Sequence, residues 1–70
     1  MQAVYRKIGR NIRALRTAKG WTQDLLADKS GLHRAHIGEI ERGDTNMTVQ
    51  TLKILADTLG TTLTELVKHT

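Results

Sequence analysis

Residues 23 to 40 carry the sequence Gln23-Asp-Leu-Leu-Ala-Asp-Lys-Ser-Gly-Leu-His-Arg-Ala-His-Ile-Gly-Glu-Ile40. In it, Ala27 is followed by Gly31 four residues later and by Ile37 after six more. Two short helices joined by a tight turn need a small residue where they touch, a glycine where φ must be positive, and an aliphatic side chain on the second helix. The stretch therefore predicts two helices that meet at a fixed angle, with the second helix protruding from the protein surface. A helix held in this way fits a DNA major groove.

The rest of the chain also has a helical pattern. It contains no proline, and its apolar periodicity predicts five helices, over about residues 4–19, 23–30, 34–41, 49–59 and 63–67. Glycines suited to helix ends follow the first four, at Gly20, Gly31, Gly43 and Gly60. Threonines suited to N-caps precede three helices, at Thr22, Thr48 and Thr62, the last forming a capping box with Glu65. We therefore expect one compact all-α domain over residues 1–70.

Size and composition exclude several classes of protein. Seventy residues make a small single domain, and without cysteine its core must hold the fold unaided. The absence of cysteine suits a reducing, cytoplasmic setting, and we expect that location. The sequence shows neither a secretory signal nor a segment long enough to span a membrane, so we expect no membrane partner.

Charge is distributed unevenly along the chain. The net charge is +4 and the sequence pI about 10.0, and six of the eleven basic residues fall within the first nineteen residues, where there is no acid. A basic segment of this kind is compatible with a polyanionic partner. It is equally compatible with a solvated helix face that keeps the protein soluble.

Several segments match a known family at the correct spacing. They are Ile12–Arg16, Gly20–Gln23, Leu26-Ala27, Ser30–Arg34, Ile37–Gly43 and Leu52–Gly60. With these segments, residues 8–67 resemble the phage-repressor and Cro-like (XRE-type) helix-turn-helix family. The run Gly31–Arg34, followed by Ile37-Gly38 and Glu41–Gly43, is similar to controller proteins of restriction–modification systems. The resemblance implies a five-helix, lambda-repressor-like DNA-binding domain with its helix-turn-helix at the second and third helices.

The resemblance also implies which residues contact bases. The recognition helix would run from about His33 to Arg42, with Arg34 the best candidate to donate two hydrogen bonds to guanine O6 and N7. His33 and Ala35 lie beside it, and Ala35 could touch a thymine methyl. Glu39 could accept from cytosine N4 or could instead orient Arg34. Instead of reading a base, Arg34 could contact a phosphate or could be a surface arginine with no contact to DNA.

Other matching positions imply contacts to the DNA backbone and a structural ion pair. Residues expected at phosphates are Thr22, Gln23, His36, Arg42, Thr45 and Asn46. Arg16 and Glu41 match a pair that forms an ion bridge between the first and third helices. Trp21 is expected to pack as a hydrophobic staple rather than to stack on a base.

The chain departs from the family pattern at several positions. Leu25 stands where an acidic residue often completes a capping box, and His33 replaces the usual Ser or Thr cap of the recognition helix. Asp44 and Met47 replace a common basic residue and a proline, and Asp44 should repel phosphate. Gly38 lowers the stability of the recognition helix. Its presence would be explained by a close approach of the helix backbone to DNA, or the fold could simply tolerate glycine there. Gly9 raises the same question in the first helix.

Other functions are less well supported by the residues. His33, His36 and Glu39 recur every three residues, but that step drifts round a helix and no second cluster completes a metal site. No nucleophile–base pair is evident, so we expect neither an enzyme nor a cofactor. A protein-interaction module of the same fold, of the antitoxin or coactivator type, is the alternative function.

We therefore expect a regulator of transcription that binds double-stranded DNA as a homodimer. The dimer face is predicted at Leu63, Leu66 and Val67, which could instead simply close the core. An activator would in addition contact RNA polymerase.

Overall fold

The computed structural model describes residues 2–68, and it is all-helical over that range. Its helices are α1 (Gln2–Ala18), α2 (Gln23–Ser30), α3 (Arg34–Arg42), α4 (Val49–Leu59) and α5 (Leu63–Leu66). Every predicted helix is present, with bounds within two residues of those expected. The all-α fold, with a helix-turn-helix at α2 and α3, is therefore confirmed.

The helix ends follow the predicted capping signals. The hydroxyls of Thr22, Thr48 and Thr62 each accept a hydrogen bond from the backbone N–H three residues further on. Gly31 adopts a left-handed φ of 79° in the turn between α2 and α3, a conformation in which a side chain would be strained. His33 is the N-cap of α3 but makes no side-chain capping bond. Replacing the usual Ser or Thr therefore leaves this helix start uncapped, as the sequence predicts.

The core lies between α1, α2, α3 and α4, and α5 closes it by packing against α1 and α4. Its fully buried large side chains are Ile12, Leu26, Ile37, Ile40, Leu55, Leu59 and Leu66. Trp21 packs against the edge of this core, with the ammonium groups of Lys19 and Lys29 within 5.3 and 5.0 Å of its ring centroid. Trp21 therefore packs against the core, and its ring is not an open face for stacking on a base.

Leu66 corrects one prediction from the sequence. It was expected in a dimer face, but its side chain is fully buried because α5 folds back onto α4 and α1. Leu66 therefore closes the core of the single chain. Leu63 and Val67 are only partly buried and keep surface that a partner could reach.

At Gly9 the backbones of α1 and α3 approach each other closely. A Cβ placed there would lie 2.5 Å from the carbonyl oxygen of Glu41 and closer still to that of Ile40. The absence of a side chain lets the two helix backbones touch. Gly9 is thus explained by contact between helices, and neither a DNA approach nor tolerance is needed.

Within residues 2–68, no helix combines the length and the apolar character that crossing a bilayer requires.

Candidate nucleic-acid interface

The turn between α2 and α3 presents one face of α3 to solvent. Ile37 and Ile40 are fully buried, and Ala27 is buried on α2, the helix packed against α3. The four predicted base-reading residues are exposed: His33, Arg34, Ala35 and Glu39. The structure therefore brings them together at the N-terminal half and the outer side of α3.

Arg34 forms an exposed ion pair with a residue of the neighbouring helix. Its Nε lies 2.8 Å from Oδ1 of Asp24, in the first turn of α2, and both side chains are more than three-fifths exposed. Glu39, which the sequence offered as an alternative partner for Arg34, instead lies with Oε1 3.5 Å from Nδ1 of His36. Asp24 is not among the site residues predicted from the sequence, because only the folded turn brings residues 24 and 34 together.

The N-terminus of α2 lies beside α3. The Thr22 hydroxyl accepts from Leu25 N at 3.1 Å, so the cap forms even though Leu25 supplies no carboxylate. The Gln23 amide donates from Nε2 to Oε1 of Glu41 at 3.1 Å. The first N–H groups of a helix have no partner within it, and with the helix dipole they favour an anion. This end of α2 is thus a suitable place for a phosphate.

A buried ion pair connects α1 to α3, at the two positions predicted. Arg16 donates from Nε to Oε2 of Glu41 at 2.6 Å and from Nη2 to Oε1 at 3.0 Å. Its Nη1 also donates to the carbonyl of Trp21 at 2.7 Å. The hydrogen bond to Glu41 raises the pKa of Arg16 above its ordinary value, against the opposing effect of burial. With Gln23 bound to the same carboxylate, the pair fixes the start of α2 relative to α3.

The loop after α3 contains the remaining predicted phosphate contacts. Arg42 Nε lies 2.9 Å from Oδ2 of Asp44, and both side chains are more than half exposed. Thr45 is half-buried and Asn46 is exposed. Asp44, which is expected to repel phosphate, also forms an ion pair with Arg42, the side chain that would attract a phosphate.

Gly38 is buried on α3 behind two of the predicted contact residues. A Cβ there would lie 3.2 Å from Arg42 Nη1 and 3.9 Å from Gln23 Oε1. The side chains that cover Gly38 are therefore flexible and polar, in contrast to the backbone that covers Gly9.

We call residues 22, 23, 33–36, 39 and 42–46 the recognition surface. Three basic side chains of this surface each lie beside a carboxylate: Arg34 beside Asp24, His36 beside Glu39, and Arg42 beside Asp44. Within the part of the chain that the structure describes, no group of three or more potential metal ligands is close enough to hold an ion. Most residues of this surface are polar and exposed, and each of the three ion pairs includes at least one of them.

Comparison with known proteins places the whole arrangement in one family. A family model described as helix-turn-helix matches residues 12–66. Control protein C.SmaI of Serratia marcescens is 42% identical over 59 residues, which cover 84% of this chain and 70% of that protein. The HTH-type transcriptional regulator SlrR of Bacillus subtilis is 47% identical over 60 residues, but these cover only 40% of its length.

A solved structure agrees with the sequence comparisons. The restriction-modification controller protein C.AhdI of Aeromonas hydrophila superposes with a TM-score of 0.88 at 42% identity. The match covers 91% of this chain and 97% of that one. Similarity therefore extends over nearly the whole domain and is not confined to α2 and α3.

Proposed function

This chain belongs to the helix-turn-helix family of DNA-binding transcriptional regulators, and we propose that it binds a near-palindromic DNA site as a homodimer with α3 in the major groove. In this arrangement Arg34 reads a guanine, and His33, Ala35 and Glu39 contact neighbouring bases. A cytoplasmic location follows from a role on the chromosome and forms part of the proposal.

The observation that carries this proposal is the outer face of α3. Four exposed residues that are small or polar lie there, opposite the fully buried Ile37 and Ile40. The cores of protein–protein interfaces are richer in aromatic and aliphatic side chains. Among residues 2–68, the large apolar side chains that are exposed are Leu25 and Val49, and neither is on α3. The surface therefore suits base edges better than a protein partner of the antitoxin or coactivator type.

Backbone contacts would fix the register of α3 in the groove. We assign them to the start of α2 and to the loop after α3, with residues Thr22, Gln23, His36, Arg42, Thr45 and Asn46. Contacts to phosphate set position and affinity but carry no sequence information. Arg42 would have to exchange Asp44 for a phosphate, since its Nε lies 2.9 Å from that carboxylate.

The dimer follows from how little DNA one recognition helix can read. A single α3 contacts few base pairs, and two-fold pairing supplies the missing affinity and specificity. Leu63 and Val67, partly buried at α5, are the proposed contact residues. An activator of this type would also contact RNA polymerase.

The dimer face is tested by sedimentation equilibrium of two matched variants. Val67→Lys places a charge in the proposed face, whereas Val49→Lys places the same charge at a valine that is 70% exposed on α4. We expect the first to lower the mass to that of one chain and the second to leave the wild-type mass unchanged. Equal masses for both variants and the wild type would exclude Val67 from the interface.

The binding function is tested by selection from a random pool of DNA duplexes. We expect enrichment of a sequence with two-fold symmetry, whose half-sites are centred about 10 base pairs, or a multiple of that, apart. Binding to the selected duplex should weaken steeply as salt rises, because phosphate contacts release counterions. A pool that stays random after repeated rounds would refute the proposed function.

A further inference from the structure

Asp24 and Arg34 form a contact that the fold does not need. They lie in the first turns of α2 and α3, with Oδ1 and Nε 2.8 Å apart. Their side chains are 76% and 63% exposed, respectively, so neither fills the core. A pair this exposed contributes little to stability, because solvent screens it and ordering two side chains costs entropy. Its position, however, is at the residue proposed to read a base.

The chemistry of the contact leaves Arg34 suited to guanine. A guanidinium has five N–H donors in a planar fork, and the carboxylate of Asp24 lies nearest to Nε, with Oδ1 2.8 Å away. The two terminal amino groups remain, and they match the spacing of O6 and N7 on guanine. While it is paired with Asp24, the Arg34 side chain adopts fewer arrangements, so it loses less conformational freedom when it binds. Asp24 thus reduces the entropic cost of the base contact.

The same carboxylate opposes a different use of Arg34. A phosphate approaching this guanidinium would also approach the negative charge of Asp24, which repels it. Guanine presents neutral acceptor atoms and suffers no such repulsion between full charges. The pair therefore favours a base contact over a backbone contact at this position.

We propose that Asp24 is a specificity-determining residue, which positions Arg34 for guanine and discourages it from binding phosphate. The inference rests on the proposed function, since it gives a role to a neighbour of the base-reading arginine. A purely structural Asp24 would affect the stability of α2, whereas a specificity-determining Asp24 affects mainly the preference among bases.

The test measures affinity for two duplexes, the site selected by the wild type and the same site with each guanine assigned to Arg34 changed to adenine. Asp24→Asn keeps the size of the side chain and removes its charge. Asp28→Asn is the matched control, because Asp28 is also exposed and lies one turn further along α2. Thermal melting of each variant, followed by circular dichroism, establishes that it is folded.

We expect Asp24→Asn to lower the guanine-to-adenine affinity ratio at least about threefold, a part of what one bidentate arginine–guanine contact supplies. Its affinity for the adenine duplex should rise, because a negative charge near DNA is removed. Asp28→Asn should keep the wild-type ratio. Asp24→Glu, which restores the charge, should recover part of the ratio, and in an Arg34→Ala background Asp24→Asn should change the ratio no further.

Two results would overturn the inference, and they separate it from the proposed function. If the wild type discriminates between the duplexes and Asp24→Asn keeps the same ratio as Asp28→Asn, Asp24 has no role in specificity while the proposed function stands. If the wild type selects no sequence at all, both fail together. A loss of ratio equal in Asp24→Asn and Asp28→Asn would also reject a specific role, because it would reflect charge alone.

Discussion

Replacing Gly9 with alanine should force α1 away from α3, the helix that carries part of the recognition surface, and so lower the free energy of unfolding. The new methyl group would lie 2.5 Å from the Glu41 carbonyl oxygen and nearer to that of Ile40. Forcing extra atoms into a packed contact typically costs about 1–3 kcal/mol, and backbone that is held in a helix cannot rotate away. Alanine returns about 1 kcal/mol through its better helix propensity. Because the clash is with backbone on two sides, we expect a net loss of about 2 kcal/mol.

The measurements are urea unfolding and thermal unfolding, both followed by the fluorescence of Trp21, the one tryptophan of the chain. A net loss of about 2 kcal/mol should lower the Tm of a domain of this size by roughly 8–16 °C. Gly38→Ala is the control, since its new Cβ would meet only the flexible ends of Arg42, at 3.2 Å, and of Gln23, at 3.9 Å. That variant should gain up to about 1 kcal/mol from helix propensity. A Gly9→Ala protein as stable as the wild type would refute the tight contact between α1 and α3.

Three further predictions concern the start of α3, the buried ion pair between α1 and α3, and the start of α2. His33→Ser should supply the missing cap and raise the free energy of unfolding by about 1 kcal/mol, measured in urea; an unchanged or lower value would contradict the uncapped helix start. Arg16→Met should cost about 3 kcal/mol, near the low end for breaking a buried pair, because Gln23 still donates to Glu41. A loss under about 1 kcal/mol in the same denaturation assay would contradict a buried pair. Gln23→Ala should weaken binding to selected and unrelated duplexes by similar factors, in anisotropy titrations, whereas a loss confined to the selected duplex would make Gln23 a base contact.

Local signals made most of the fold predictable from the sequence. Helix bounds follow from apolar periodicity, threonine caps and terminal glycines, all of which act within a few residues of one another. Gly31 and Ile37 predicted the angle between α2 and α3 because a turn this short leaves few alternatives. The Arg16–Glu41 pair came from family resemblance, since its partners are 25 residues apart and no local rule connects them.

What the sequence could not supply depends on how the helices lie against one another. Gly9 is explained only once α1 is known to cross the C-terminal turn of α3. Leu66 and Val67 are adjacent and both apolar, yet the first is fully buried and the second is not, because α5 covers the core with one side only. The contact of Asp24 with Arg34 joins two exposed, flexible side chains across the turn, and periodicity does not predict such pairs.

The central claim is that α3 reads guanine from the major groove, and methylation interference tests it most directly. A methyl group on guanine N7 lies in the major groove, whereas one on adenine N3 lies in the minor groove. On the selected duplex, we expect N7 methylation to block binding at symmetry-related guanines, and Arg34→Ala to lose sensitivity at those same positions. Interference confined to adenine N3, or N7 interference that Arg34→Ala leaves unchanged, would contradict the account.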